Sequence, residues 1–264
     1  MEQAEIRGAA QALRGAYVNG PVGPLTAAYP GMSLADAYAV QLDQVQAWTA
    51  DGAQVRGHKV GLTSAAMQRM LGVTSPDFGH LLDTMFFSEH EPIPFGRFLQ
   101  PRIEPEIAFV LGGALAGPGV TAADAVRAVD HVLPSLEVVD SRIRDWKIAL
   151  FDTIADNASS GGVVLGGRPT LLSSVDLRLV GCNLRRNARI AATGAGGAVL
   201  GNPISALVWI ANVLGERGVA LEAGEVVLPG SCTAMLPVSP GDTVSAQFAE
   251  LGSVTTLFSG RTTS

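Results

Sequence analysis

The sequence is short of several things, and each shortage excludes a class of protein. Basic residues do not cluster: 18 Lys and Arg stand against 24 Asp and Glu, a net charge of −6. A nucleic-acid reader needs a positive footprint gathered on one face, so no nucleic-acid partner is expected. Arg185 and Arg186 form a lone pair and read as solvated turn residues. No uncharged apolar run reaches the length of a membrane span, about 20 residues. Residues 1–20 carry early acidic side chains and no long apolar stretch, unlike a secretory signal. A cytoplasmic protein without membrane association is the expectation. Two cysteines, Cys182 and Cys232, are too few for a disulfide scaffold, and their spacing fits no zinc pattern. Aromatics make up only 6%, so the core is expected to pack small side chains closely.

What is present is apolar material in quantity: 47% of 264 residues are hydrophobic and 16% charged, enough for one large domain. The first part reads helical. Residues 4–17 are rich in Ala, Leu and Arg, and Pro21, Gly23 and Pro24 break the run. Ser33 followed by Asp36 marks a capped helix start, with a helix to about residue 49 and a turn at Asp51-Gly52. The texture changes at Gln54, which divides the chain into a helical segment, 1–53, and a strand-rich body, 54–264, expected as one compact unit. In the body, residues 55–62 predict a strand, Thr63 or Ser64 caps a short helix through Leu71, and 76–82 reads as loop. From Arg102 a strand alternates. Residues 121–131 predict a helix that Pro134 stops, followed by a strand over 135–140. Val175, Leu177 and Leu179 alternate as a strand, with turn residues over 181–187 and a returning strand over 188–192. Asn202-Pro203 opens a helix to about Glu216, and 243–258 reads as two strands around Leu251-Gly252. Helices first and strands after make an α+β pattern. The glycines at 194–197 match neither a dinucleotide nor a phosphate-loop fingerprint.

The chemistry concentrates in three places. In Arg102-Ile103-Glu104-Pro105-Glu106, a strand puts Glu104 and Glu106 on one face and Ile103 and Ile107 on the other. Two carboxylates so placed raise each other's pKa unless a cation sits between them, and oxygen ligands suit a hard divalent ion, Mg²⁺ or Mn²⁺. A third carboxylate is available at Glu137, between the apolar Leu136 and Val138, with Asp140 as competitor. Standing against this is a plain solvated strand face. In Gly57-His58-Lys59-Val60-Gly61, Lys59 lies in an apolar, glycine-flanked strand. A lysine there either meets a substrate carboxylate or enolate or snorkels at a strand end. His58 points to the opposite face. In the segment 152–162, Asn157, Ser159 and Ser160 make a donor-rich loop able to cradle a carboxylate, or a plain turn.

Taken in order, Gly57 to Ser64, Ser75-Pro76-Asp77-Phe78-Gly79, Arg102 to Phe109, Pro134 to Arg142 and Asp152 to Gly161 resemble the 2-keto-4-pentenoate (2-hydroxypenta-2,4-dienoate) hydratases. The resemblance extends to their sister group, the 4-oxalocrotonate decarboxylases, within the fumarylacetoacetate hydrolase superfamily. It spans nearly the whole chain, including 228–232 and Pro240-Gly241-Asp242. It implies a mixed β-sheet roll with an N-terminal helical segment, the body 54–264 being the catalytic domain. It implies Mg²⁺ or Mn²⁺ held by Glu104, Glu106 and Glu137, with Lys59 and Asp77 as catalytic residues. Asn157, Ser159 and Ser160 would bind substrate near its carboxylate. It further implies a homo-oligomer and possible association with a pathway decarboxylase or aldolase. The superfamily's C–C bond hydrolases use a His–Glu pair and an Asp as third ligand; here Lys59 and Glu137 occupy those places, which argues against C–C hydrolysis.

The resemblance therefore implies a lyase of aromatic or steroid meta-cleavage catabolism, which adds water to 2-hydroxypenta-2,4-dienoate (2-oxopent-4-enoate) and yields a 4-hydroxy-2-oxo acid. The alternatives are decarboxylation of 2-oxo-3-hexenedioate, which uses the same electron sink, and a non-catalytic small-acid-binding or scaffolding subunit.

Overall fold

Two long helices open the chain because their sequences carry one apolar stripe each and a start signal. In the computed structural model, which describes residues 1–260, α1 spans Gln3–Asn19, α2 Leu25–Ala28 and α3 Leu34–Ala50. Ile6, Ala9, Ala10, Leu13 and Ala16 fall on one face of α1 and are buried. Ser33 caps α3 reciprocally with Asp36: the Asp36 N–H donates to Ser33 Oγ at 3.2 Å and the Ser33 N–H to Asp36 Oδ2 at 2.9 Å. α3 also buries Gln41 and Gln44. Gln41 Nε2 donates to the carbonyls of Phe78 (2.9 Å) and Ile154 (2.8 Å), and Gln44 Nε2 to that of Ala155 (2.6 Å). These amides tie the helical segment to the strand-rich body beneath it.

The body begins with β1 (Val55–Gly61), α4 (Ala65–Leu71), β2 (Asp77–Leu82) and β3 (Phe86–Phe87), followed by β4 (Arg102–Leu111), α5 (Ala122–Ala128) and β5 (Val129–Val139). It continues through α6 (Leu150–Ala155), β6 (Ser160–Leu165), β7 (Gly181–Arg186), β8 (Arg189–Ala195) and α7 (Pro203–Gly215), and ends with β9 (Val226–Leu228), β10 (Leu236–Pro237), β11 (Thr243–Phe248) and β12 (Gly252–Leu257). The larger sheet runs β2-β1-β9-β4-β5-β6-β3, with β10 on β4; the smaller runs β12-β11-β7-β8. The larger sheet is mixed, since β1 is parallel to β9 and β3 to β6. The smaller sheet packs across β5 and β6. Main-core residues such as Ile103, Ile107, Leu136 and Val138 are buried between these layers. This is the expected α+β architecture. Among the described residues no helix is long and apolar enough to cross a membrane.

Several expectations need correction. Residues 77–82 form β2, not loop: Asp77, Gly79 and His80 are poor strand formers, but pairing along β1 and burial of every residue override that preference. The helix expected over 121–131 stops at Ala128, and Pro134 does not terminate an element. β5 runs through it, opposite Ile107. The Pro134 carbonyl accepts from the Gly166 N–H at 2.8 Å, just past the end of β6, so the missing proline N–H falls where the ladder is already ending. Residues 175–179 are not a strand; Leu179 is 78% exposed. The strand is β7, over the residues read as turn, and the reversal is the pair Asn187-Ala188, with φ of 51° and 65°. The Asn202 cap, the proline start of α7 and the β11–β12 hairpin are as expected.

Candidate active site and metal centre

Register brings the carboxylates together. β4 and β5 pair so that Glu104 lies opposite Glu137, and Glu106 follows two residues along β4 on the same face. Carboxylate oxygens of Glu104, Glu106 and Glu137 all lie within 4.8 Å of one another. Glu106 and Glu137 are buried, and Glu104 is half-buried. Glu106 Oε2 accepts from the Gly230 N–H at 2.7 Å. Gly230 has φ of 120°, and a Cβ there would overlap the Thr63 hydroxyl, so only glycine allows this approach. Neither oxygen of Glu137 receives an aligned hydrogen bond. Burial pushes all three carboxyls up: Glu137 to about 7, offset in part by Lys59, and Glu106 well above its ordinary range with Glu137 and Glu104 adding repulsion. Three oxygen donors, crowded and short of protons from donors, fit a hard divalent cation.

The neighbouring strands supply the other two groups. β1 and β2 pair so that Lys59 lies opposite Gly79, and Gly61 opposite Asp77. A Cβ on Gly61 would overlap Asp77 Oδ1, so the missing side chain gives the carboxyl its room. Burial raises the Asp77 pKa, and Lys59 opposes that rise, with Thr153 beside it. Lys59 Nζ lies 3.3 Å from Glu137 Oε1 and donates to the Ala158 carbonyl at 3.0 Å. Burial alone would drive Lys59 down, but Glu137, Asp77, Glu104 and Glu106 outweigh it and hold the ammonium above its ordinary range. Lys59 is therefore a charged donor, not a lysine depressed by burial.

The Ala158 carbonyl reaches Lys59 through an unusual turn. Asn157, Ala158 and Ser159 all have positive φ, 51°, 50° and 54°. Each costs about 1–2 kcal/mol in a non-glycine residue, so the surroundings must hold the turn. Asn157 brackets β2, accepting from the His80 N–H at 2.8 Å and donating to the His80 carbonyl at 2.9 Å. Ser160 Oγ donates to the Asn157 carbonyl at 2.8 Å. Below the turn, the buried Arg142–Asp156 ion pair and Ser141 (Oγ to Asp156 Oδ2, 3.0 Å) close the base.

A cavity of about 560 Å³ opens over this cluster. Of the residues singled out from sequence, Lys59, Asp77, Glu104, Glu106 and Ser159 line it, and Glu137 joins through the carboxylate cluster. Ser159 Oγ also donates to Asp156 Oδ2 at 3.2 Å. Asn157 and Ser160 are not among the lining residues; their side chains are committed to the turn. Sequence reading passed over Arg102, Trp146, Thr153, Gly230 and Met235 on the cavity wall. Arg102 alone had a signal, since it precedes Glu104 by two and shares its face. His58, set aside earlier, is on the opposite face, buried against His80 with ring centroids 5.0 Å apart.

Comparison with known proteins places this geometry. A family model described as the fumarylacetoacetate (FAA) hydrolase C-terminal region matches residues 52–258. The 2-keto-4-pentenoate hydratase of Paraburkholderia xenovorans is 45% identical over 251 residues, 95% of this chain and 93% of that one. The 2-oxo-hept-4-ene-1,7-dioate hydratase of Escherichia coli is 43% identical, covering 87% and 88%. Among solved structures, 4-oxalocrotonate decarboxylase from Pseudomonas putida G7, complexed with magnesium and adipate, superposes with a TM-score of 0.94 at 37% identity over 98% of both chains. With a family match over most of its length and relatives aligned nearly end to end, the chain belongs to the fumarylacetoacetate hydrolase family.

Proposed function

We propose that this chain is a hydro-lyase that converts 2-hydroxypenta-2,4-dienoate (2-oxopent-4-enoate) to 4-hydroxy-2-oxopentanoate in meta-cleavage catabolism. The observation that carries the reading is 45% identity to a 2-keto-4-pentenoate hydratase across 95% of the chain. The convergence of Lys59, Asp77 and the three glutamates on one cavity supports it.

Glu104, Glu106 and Glu137 would hold Mg²⁺ or Mn²⁺, which supplies Lewis acidity toward the substrate's carboxylate and C2 oxygen. Lys59 presents its ammonium to the negative charge that develops on the C2 oxygen. Asp77 takes the enol proton and returns it to C5, giving the conjugated 2-oxo-3-enoate. It then accepts a proton from the water that adds to C4 and delivers it to C3 as the 2-oxo group reforms. A buried carboxyl with a raised pKa suits both directions of transfer. Ser159 lies on the cavity wall beside Lys59's acceptor, Ala158, where its hydroxyl can meet the bound substrate.

One specific observation favours a second reading. The superposition on 4-oxalocrotonate decarboxylase covers 98% of both chains, and loss of CO₂ from a diacid would use the same electron sink. Parallel assays separate the two: ultraviolet loss of 2-hydroxypenta-2,4-dienoate with product identified by NMR, and CO₂ release from 2-oxo-3-hexenedioate, each with metal and with chelator. Metal-dependent 4-hydroxy-2-oxopentanoate supports the hydratase; CO₂ without hydration supports the decarboxylase. A scaffolding subunit would show neither reaction and no divalent-metal binding in calorimetry. Self-association and a complex with the pathway decarboxylase or aldolase belong to the same reading, and light scattering tests them.

A further inference from the structure

We propose that Arg102, shelved on Trp146, anchors the C1 carboxylate of the substrate, and that this use leaves the cavity without a cation for a second carboxylate, so the enzyme selects monocarboxylic dienoates. The inference rests on the hydratase reading and specifies its substrate class and binding direction.

The cavity wall carries two cations among the described residues, Lys59 and Arg102. Lys59 is engaged by Glu137 and the Ala158 carbonyl. Arg102 is half-buried and forms no ion pair among the described residues. Its guanidinium lies 4.4 Å from the Trp146 ring centre, and its remaining polar contact is Met235 Sδ at 3.6 Å. A guanidinium held over an indole ring still has N–H groups for an incoming acceptor.

The shelf is built for this. Asp145 and Trp146 both take positive φ, 60° and 55°, which is unfavourable for a bulky side chain. Gln100 holds them there. Its Nε2 donates to the Ser141 and Ile143 carbonyls (both 2.9 Å), its Oε1 accepts from the Asp145 N–H (2.8 Å), and its own carbonyl accepts from Trp146 Nε1 (3.0 Å).

Position fixes direction. Arg102, Glu104 and Glu106 share one face of β4, with Arg102 two residues along the strand from Glu104, while Lys59 and Asp77 come in from β1 and β2 and Lys59 reaches Glu137. A 2-oxo acid with its head at the glutamates and its carboxylate toward Arg102, the cation beside Glu104 that is unpaired among the described residues, leaves its reacting carbons to lie over Lys59 and Asp77. The tail then runs toward Val60, Leu62 and Ala66, where no cation lines the wall among the described residues. Identity to relatives does not decide this, since the monoacid and diacid hydratases match at 45% and 43%.

The test compares wild type, Arg102→Gln and Arg102→Lys. Calorimetry reads Mg²⁺ affinity and the affinity of the Mg²⁺-loaded protein for 2-oxopentanoate, an unreactive monoacid. Steady-state assays read KM and kcat for 2-hydroxypenta-2,4-dienoate and for 2-oxohept-4-ene-1,7-dioate. The expected result is that Arg102→Gln weakens 2-oxopentanoate binding and raises the monoacid KM by about 10- to 100-fold, the worth of a charge-assisted hydrogen bond, with Mg²⁺ affinity unchanged and partial rescue by Arg102→Lys. Wild type should prefer the monoacid over the diacid by at least about tenfold in kcat/KM. Unchanged 2-oxopentanoate affinity overturns the assignment, as does a loss confined to the diacid. Arg102-dependent binding without hydration by wild type would sink the hydratase reading and leave the anchor standing.

Discussion

At the scale of single residues, the site is a contest between burial and mutual charge. Glu104, Glu106 and Glu137 are pushed toward the protonated form, Glu137 to about 7, chiefly by burial. Raised carboxyl pKa values mean that the metal-free folded state holds more protons than the unfolded chain. Its stability from these groups is therefore full at low pH and falls as pH rises through about 7. A cation requires the ionised form, so its affinity should rise over the same interval. Thermal melts from pH 6 to 8 should show Tm falling without metal and holding with Mg²⁺; parallel curves would contradict this. Glu106→Gln should lower Mg²⁺ affinity at least about tenfold in calorimetry. Lys59→Met should lower kcat by about 10²- to 10⁴-fold with metal binding retained; turnover within about threefold of wild type would remove Lys59 from the chemistry.

At the scale of elements, what was legible is what has a period. Glu104 and Glu106 stood out because a strand repeats every two residues and Ile103 and Ile107 fill the other face. Glu137 stood out because an acid between buried apolar neighbours needs a partner. β2 was missed because its residues are poor strand formers, and only pairing with β1 makes it a strand. Asn157 and Ser160 were read as substrate contacts because donor-rich loops often are; three successive left-handed residues, which nothing in Asn-Ala-Ser announces, turn them inward instead. The glutamines of α3 were invisible for a similar reason, since their partners are carbonyls more than 30 residues away. Gln44→Leu should cost about 1–3 kcal/mol in denaturant unfolding, the penalty of leaving a buried carbonyl unpaired. Gly61→Ala should displace Asp77, lowering kcat while costing about 1–3 kcal/mol of stability; unchanged activity would show that Asp77 does not depend on that gap.

At the scale of the whole molecule, the sheet order is what assembles the chemistry. β4 and β5 bring the glutamates, β1 and β2 bring Lys59 and Asp77, and the segment after β9 closes over Glu106 through Gly230. The helical segment reaches the same place from behind, through Gln41 and Gln44. The central claim is that this assembly adds water at C4 of a 2-hydroxydienoate and needs the glutamate cluster to do so. The most direct test is hydration of 2-hydroxypenta-2,4-dienoate in ¹⁸O-labelled water with Mg²⁺, followed by NMR and mass spectrometry, for wild type and Glu106→Gln. The account predicts 4-hydroxy-2-oxopentanoate labelled at the C4 hydroxyl from wild type, and product formation lost or strongly reduced in the variant. Equal turnover by both proteins, or no C4-hydroxylated product from wild type, would contradict it.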